Sequence, residues 1–439
     1  MSSDPALTAM TTWTTNAAAH PSHTYRGRKR VPSTSDANSD LSGSSAGNTT
    51  ANTVSTVTTL IKARGSSMSS GRRCYAHAEP GYAIGRTPSG GERLRMADGM
   101  KGLRVKGDRR AELATMPRPE PRTGWVVVRS TMSAVCGSDL HNYRADPAKL
   151  GDRANRVAGH EAVGIVEAAG LGVEDLTPGT RVVVYQHYGC GRCPYCRRGE
   201  PMFCPDRRTL GNHVDGADAE YVTAPASICL PLPDTLSDPV GALLACNFGT
   251  AFSGVRKLRL DGSDVVVIFG LGPVGCCATI VAAADGADVV AVDPVPSRRE
   301  LAERLGAVRT IDPTAEDTAA VVREVTAGRM AEAAVDCSGN PRAQGDALGV
   351  IRARGSMLVL AATAPWTFDP SQLWRRGLTL LGSWVYELGE YEGVVRLAER
   401  HAGELEQLVT RRFPGAEAEA AFAAADTGSE GKIVIDWTA

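Results

Sequence analysis

The chain has 439 residues, 43% of them hydrophobic and 22% charged, with a formal net charge of -1. That length suggests roughly two or three domains, and the near-zero charge argues against electrostatic capture of nucleic acid or an anionic membrane. No apolar run reaches the roughly 18 residues of a membrane span and no signal-peptide core opens the sequence, so a cytoplasmic protein is expected, its cysteines serving as metal ligands or reduced thiols rather than disulfides.

Residues 1–95 are rich in Ser, Thr, Ala, Asn and Gly and show no periodicity. Such a segment buries too little apolar surface to offset its ordering entropy, so a disordered low-complexity tail is expected. Its basic cluster, Arg26-Gly27-Arg28-Lys29-Arg30, reads as a solvated charge run. The strand-like stretch 100–105 looks like a domain start and points to Met96 or Met100 as the first residue of the translated protein.

Over 96–247, Val-rich runs at 125–128, 162–167 and 181–185 alternate with Gly, Pro and Asp turns. This predicts an all-β, barrel-like domain. Over 248–376 the rhythm becomes strand (264–269), helix (274–284), strand (288–292), helix (297–305), with later strands at 333–336 and 355–360. Repeated βαβ units predict an α/β domain with a doubly wound parallel sheet. The segment 377–439 is read as a strand at 378–384, a helix near 391–401 and a last strand at 432–436.

Three motifs carry chemistry. Cys190, Cys193, Cys196 and Cys204 stand at C-x2-C-x2-C-x7-C spacing; four thiolates close a tetrahedral zinc cage with no open position, so this zinc is structural. Cys136, His160 and Cys246 supply the Cys/His/Cys set of a catalytic zinc that keeps one position for substrate. If Cys246 is instead a core thiol, Glu161 is the third ligand. Cys229, Cys276, Cys277 and Cys337 are expected to be buried, reduced thiols. The third motif, Gly270-Leu271-Gly272-Pro273-Val274-Gly275, follows a predicted strand, opens a predicted helix and is trailed by Asp293. That context marks a dinucleotide site. Gly270 permits the turn, Gly272 the approach of the pyrophosphate, and Gly275 helix–sheet packing. Asp293 accepts from ribose hydroxyls and repels a 2′-phosphate, which favours NAD over NADP. Arg298 and Arg299 nearby pull the other way.

These motifs, with Cys136-Gly137-Ser138-Asp139, Gly159-His160-Glu161 and Gly249-Thr250-Ala251, match in order and spacing over about three-quarters of the chain. In this the sequence resembles the zinc-dependent medium-chain alcohol dehydrogenases, in particular the threonine- and sorbitol-dehydrogenase-like branch. The resemblance implies a GroES-like catalytic domain whose chain enters a Rossmann domain and returns at the C-terminus. It implies two zinc ions per subunit, with Cys136, His160 and Cys246 on the catalytic one and Glu161 as an exchanging ligand. By the same likeness Ser138 is the proton-relay hydroxyl, His141 passes the proton outward, Asp139 orients His160, and Thr250 and Val274 pack near the nicotinamide. Cys246 departs from the polyol-type relatives, which often carry Glu there.

The expected reaction is NAD-linked oxidation of a secondary alcohol to a ketone, on a small polyol, sugar or amino alcohol. Gln186 and His187 are placed near the channel, Trp384 on the returning strand. The weaker alternatives are an ethanol-type enzyme, favoured by Cys246 and Trp384, zinc-free reduction of activated double bonds, and a zinc-ribbon binding module. No nucleic-acid or membrane partner is expected, and a homo-oligomer, dimer or tetramer, is.

Overall fold

The computed structural model describes residues 99–439. The expectations for the 1–95 tail, its basic cluster and a start at Met96 lie outside the described residues.

A seven-stranded sheet is built on the long strand Trp125–Ala134. Its alternating Val126, Val128 and Met132 are buried, so one face is committed to the core. Along one edge it pairs antiparallel with Ala162–Ala169, which continues into Arg181–Val184 and Cys229–Pro231. Tyr221–Pro225 also pairs with its first half. At its far end it takes the last strand, Lys432–Asp436, with Val434 opposite Ala134. That strand in turn runs parallel to Val409–Pro414. The C-terminus therefore returns to the first domain, under the point where Trp125–Ala134 delivers Cys136.

The other sheet has six parallel strands in the spatial order Ala307–Ile311, Asp288–Val292, Val265–Phe269, Ala331–Asp336, Ile351–Val359, Thr379–Gly382. All five residues of Val265–Phe269 are buried, as a central parallel strand covered on both faces requires. The chain order reverses between Val265–Phe269 and Ala331–Asp336, which is the switch-point crevice where α/β sheets bind ligands.

Two differences from the sequence reading matter. The strand expected at 378–384 forms over Thr379–Gly382 as the sixth parallel strand, so this sheet extends past 376 before the chain returns. The first region is not all-β: it contains the helices Asp139–Arg144 and Asp238–Ala245. Asp238–Ala245 is capped by the Ser237 hydroxyl and breaks at Cys246 before Asn247–Arg256 begins. The helices on either side of Cys246 are almost wholly buried, which hides the amphipathic stripe that would have revealed them.

Candidate active site

The four-thiol lobe is a loop around the short helix Pro194–Arg197. The Sγ atoms of Cys190, Cys193, Cys196 and Cys204 all lie within 4.8 Å of one another, and Cys193 and Cys196 Sγ are 3.5 Å apart. Backbone N–H groups of Cys190 and Cys196 point at Cys204 and Cys193 Sγ, the kind of donor that stabilises thiolates. A side chain at Gly189 would put its Cβ 2.5 Å from Cys196 Sγ, so only glycine leaves the cradle open. The donor set and spacing fit one tetrahedral zinc.

A second cluster forms where three segments meet. Cys136 follows the strand Trp125–Ala134, His160 and Glu161 precede Ala162–Ala169, and Cys246 occupies the helix break with φ -144° and ψ -69°. One ligand atom from each of Cys136, His160, Glu161 and Cys246 lies within 4.8 Å of the others. Thr250 fixes the break: its hydroxyl donates to the Cys246 carbonyl at 2.7 Å. Next to it a Cβ on Gly249 would strike the Tyr386 ring at 2.2 Å.

Asp139 organises this cluster. One carboxylate oxygen is 3.0 Å from His160 Nδ1 and the other accepts the Cys136 N–H at 3.0 Å. A His160 that donates Nδ1–H leaves its Nε2 lone pair for a metal. Burial alone pulls His160 down, but Asp139 and Cys136 outweigh it and hold the ring well above its usual value. Hydrogen bonding with Cys246 holds Cys136 well below the thiol range, against burial, while Cys246 is pushed up. Two thiols sharing a proton are ready to exchange it for a metal.

Glu161 is fully buried and ion-paired with Lys432, which is also fully buried. Burial outweighs the opposing pull of Lys432 and leaves the Glu161 carboxyl pushed up to about 8. Its Oε1 is 4.0 Å from His160 Nε2. Lys432 was not anticipated from the sequence. The available signal was a lysine inside the apolar run Lys432-Ile433-Val434-Ile435, whose position facing the core demands a carboxylate.

A cavity of about 620 Å³ opens against this cluster. Ser138, His160, Gln186, His187 and Trp384 are on its wall. Ser138 stands at the start of Asp139–Arg144, and His141, exposed, follows three residues on. His187, expected near the channel, is buried at 1% exposure against Trp384. Burial pulls its ring down to about 3, so it stays neutral.

The glycine turn is built as its spacing predicts. Gly270 has φ +86°, and a Cβ there would lie 2.8 Å from Ser338. A Cβ on Gly275 would sit 1.8 Å from the Gly270 carbonyl oxygen, whereas one on Gly272 would meet nothing within 4 Å. Gly272 thus faces open space at the N-terminus of Pro273–Ala284, where Val274 is half-buried. Asp293 is buried and accepts from the N–H groups of Leu271 and Val295, both at 2.8 Å. Arg298 Nη1 lies 3.6 Å from the same carboxylate and Nη2 donates to the Gly428 carbonyl. Of the remaining thiols, Cys229, Cys276 and Cys277 are buried and Cys337, at a strand end, is partly exposed.

A family model described as an alcohol dehydrogenase GroES-like domain matches residues 122–234, and one described as zinc-binding dehydrogenase matches 273–400. The chain is 35% identical over 329 residues to the L-threonine 3-dehydrogenase of Anaeromyxobacter sp. (strain K), covering 74% of this chain and 94% of that protein. Alcohol dehydrogenase TADH from Thermus sp. ATN1 superimposes with a TM-score of 0.71 at 28% identity, over 77% of this chain and 99% of that one. A putative zinc-binding dehydrogenase from Sinorhizobium meliloti 1021, bound to NADP, gives 0.69 at 26% identity, over 77% and 99%.

Proposed function

This chain belongs to the zinc-dependent medium-chain alcohol dehydrogenases, oxidoreductases that contain zinc and act on alcohols, and on that premise we propose that it oxidises a polar secondary alcohol to a ketone with NAD. The observation that carries the proposal is the double use of His160, which belongs both to the Cys136/His160/Glu161/Cys246 cluster and to the cavity wall. The four-thiol lobe contributes nothing to that wall, in keeping with a structural role.

Cys136, His160 and Cys246 hold the catalytic zinc, and Cys190, Cys193, Cys196 and Cys204 the structural one. Bound there, zinc supplies Lewis-acid polarisation of the alcohol oxygen and the nicotinamide accepts hydride. The chain's residues do the rest. Asp139 fixes His160. Ser138, on the cavity wall, takes the hydroxyl proton, and His141 on the same short helix passes it outward. Lys432 engages the Glu161 carboxylate, leaving Cys246 as third ligand and Glu161 as the exchanging one. Leu150 and Trp384 line the cavity with apolar surface.

Two further choices follow. The Asp293 carboxylate, buried at the end of Asp288–Val292, meets a 2′-phosphate with like charge, which favours NAD. The polar wall, with Gln186 and His187, favours a substrate with hydroxyl or amino groups beyond the reacting one. The L-threonine 3-dehydrogenase relative acts on such a molecule by name. The test is cofactor reduction across polyols, sugars, amino alcohols and simple alcohols, with NAD and NADP in parallel. The reading expects NAD to be preferred and a polar secondary alcohol to exceed ethanol by about tenfold or more in kcat/KM. Ethanol or a long-chain primary alcohol as best substrate would overturn the substrate assignment.

A further inference from the structure

The substrate cavity is unusually cationic. Arg153, Arg156 and Arg207 line it, and among the described residues the only acid on its wall is Asp152. Asp152 is 92% exposed and reaches Arg156 only at 4.0 Å. Arg153 spends its donors on neutral oxygens, those of Asn142, Leu150 and Lys149. Arg207 donates to the Met202 carbonyl and lies over the Trp384 ring, its Cζ 4.6 Å from the centroid. Among the described residues no carboxylate lies within 4 Å of Arg153 or Arg207. Two guanidinium groups thus line the cleft with no carboxylate within 4 Å of either, where low-dielectric walls focus their field.

The hydrogen-bonding inventory points the same way. Gln186 Nε2, His187 Nε2 and Arg207 Nε are all buried and have no partner. His187 meets Thr209 Oγ1 through Nδ1 at 3.0 Å, and His213 Nδ1 accepts the Thr209 N–H at 3.1 Å. A neutral His213 therefore carries its proton on Nε2. His187 Nε2 donates or accepts according to its tautomer, whereas Gln186 Nε2 and Arg207 Nε are donors in any state; buried donors left unmade cost about 1–3 kcal/mol each, so their natural complement is a ligand that offers acceptors. Burial first, and then neighbouring positive groups that include Arg207, pull both His187 and His213 down.

The geometry points to a hydroxy acid as substrate: a carboxylate carried on a hydroxylated chain, held by Arg153 and Arg207, with hydroxyls against Gln186 and His187 and the reacting carbinol at the His160 end of the cavity. This rests on the dehydrogenase reading above and narrows its substrate. Carboxylate matches the planar guanidinium fork. A phosphate ester offers the same sign of charge and is an arm of the test.

The experiment uses the full-length, zinc-loaded protein. NAD reduction is compared for six-carbon aldonates, for the alditols of the same configuration, and for the corresponding alditol phosphates. The acid should exceed its alditol by about tenfold or more in kcat/KM. Arg207→Met and Arg153→Met should raise KM for the acid about tenfold or more beyond whatever change they cause in KM for the alditol, and Arg207→Lys should recover part of that difference. An alditol or phosphate that outperforms the acid, or equal losses on acid and alditol, overturns the proposal. If no alcohol is oxidised, the dehydrogenase reading fails separately. The present proposal is then decided by calorimetric titration of the aldonate into the protein with NADH: binding weakened by Arg207→Met supports it, and absence of binding overturns it.

Discussion

Lys432, first residue of the last strand, forms an ion pair with Glu161, next to the zinc-ligand candidate His160, and neither side chain reaches solvent. Burial disfavours the charged form of both groups, and only the partner opposes it. Burial pulls Lys432 down, but the Glu161 carboxylate more than restores it. The final strand is thus tied to the catalytic cluster by charge as well as by its pairing with Trp125–Ala134.

Lys432→Met should destabilise the protein, because it leaves Glu161 buried without its partner and forces its carboxyl to take up a proton. The double variant Lys432→Met/Glu161→Gln should lose much less than the sum of the singles. Urea unfolding of the four zinc-loaded proteins gives the coupling. Additive losses would show that the two residues do not depend on each other.

Asp139→Asn removes the charge that orients His160 while keeping the shape of the side chain. Loss of such a partner weakens metal binding about 10–100-fold. Chelator competition should show one zinc released more readily and the other, in the four-thiol lobe, unchanged. Two zincs released at wild-type affinity would remove Asp139 from this role.

His187 offers a test by pH. Its ring has an ordinary value near 6.5 when unfolded and is pulled by burial to about 3 in the fold. As pH falls below 6.5 the unfolded chain takes up a proton that the native chain refuses, so stability is lost from about pH 6.5 towards pH 3. One full proton is worth about 1.4 kcal/mol per pH unit. His187→Gln should lose less stability than wild type between pH 6.5 and pH 4.5, measured by urea midpoints. Parallel slopes would mean that His187 is accessible to protons in the fold.

The cofactor reading turns on Asp293, which holds the N–H groups of Leu271 and Val295. Asp293→Ala should weaken NADH binding about tenfold or more, since hydrogen bonds to a charged group contribute about 1.5–3 kcal/mol, and should narrow the gap to NADPH. Fluorescence titration with both nucleotides decides. Tighter binding of NADPH to the wild type would mean that Arg298 and Arg299, not Asp293, set the preference.

The features that could be read from the sequence are those encoded by short spacing. The C-x2-C-x2-C-x7-C run, the Gly270–Gly275 turn and the strands at 265–269 and 432–436 each contain their own evidence within a few residues. What escaped notice depends on distant segments meeting. Cys246 gives no local sign that it sits at a helix break, because the buried helices around it lack a polar face. Lys432 acquires its meaning only from Glu161, 271 positions earlier. Thr379–Gly382 is short and mostly exposed, so nothing in it distinguishes an edge strand of the parallel sheet from the start of the return. Arg153, Arg156 and Arg207 look like surface charges until the fold sets them around one cavity.

Zinc content measured beside activity tests the central claim most directly. Elemental analysis of the purified wild type should give about two zinc ions per chain, one for each donor set of the kind described. Cys246→Ala should retain about one, remain folded, still bind NADH and lose alcohol oxidation. A wild type with about one zinc, or a Cys246→Ala protein that keeps both zincs and its turnover, would contradict the assignment of Cys136, His160 and Cys246 as the catalytic zinc site.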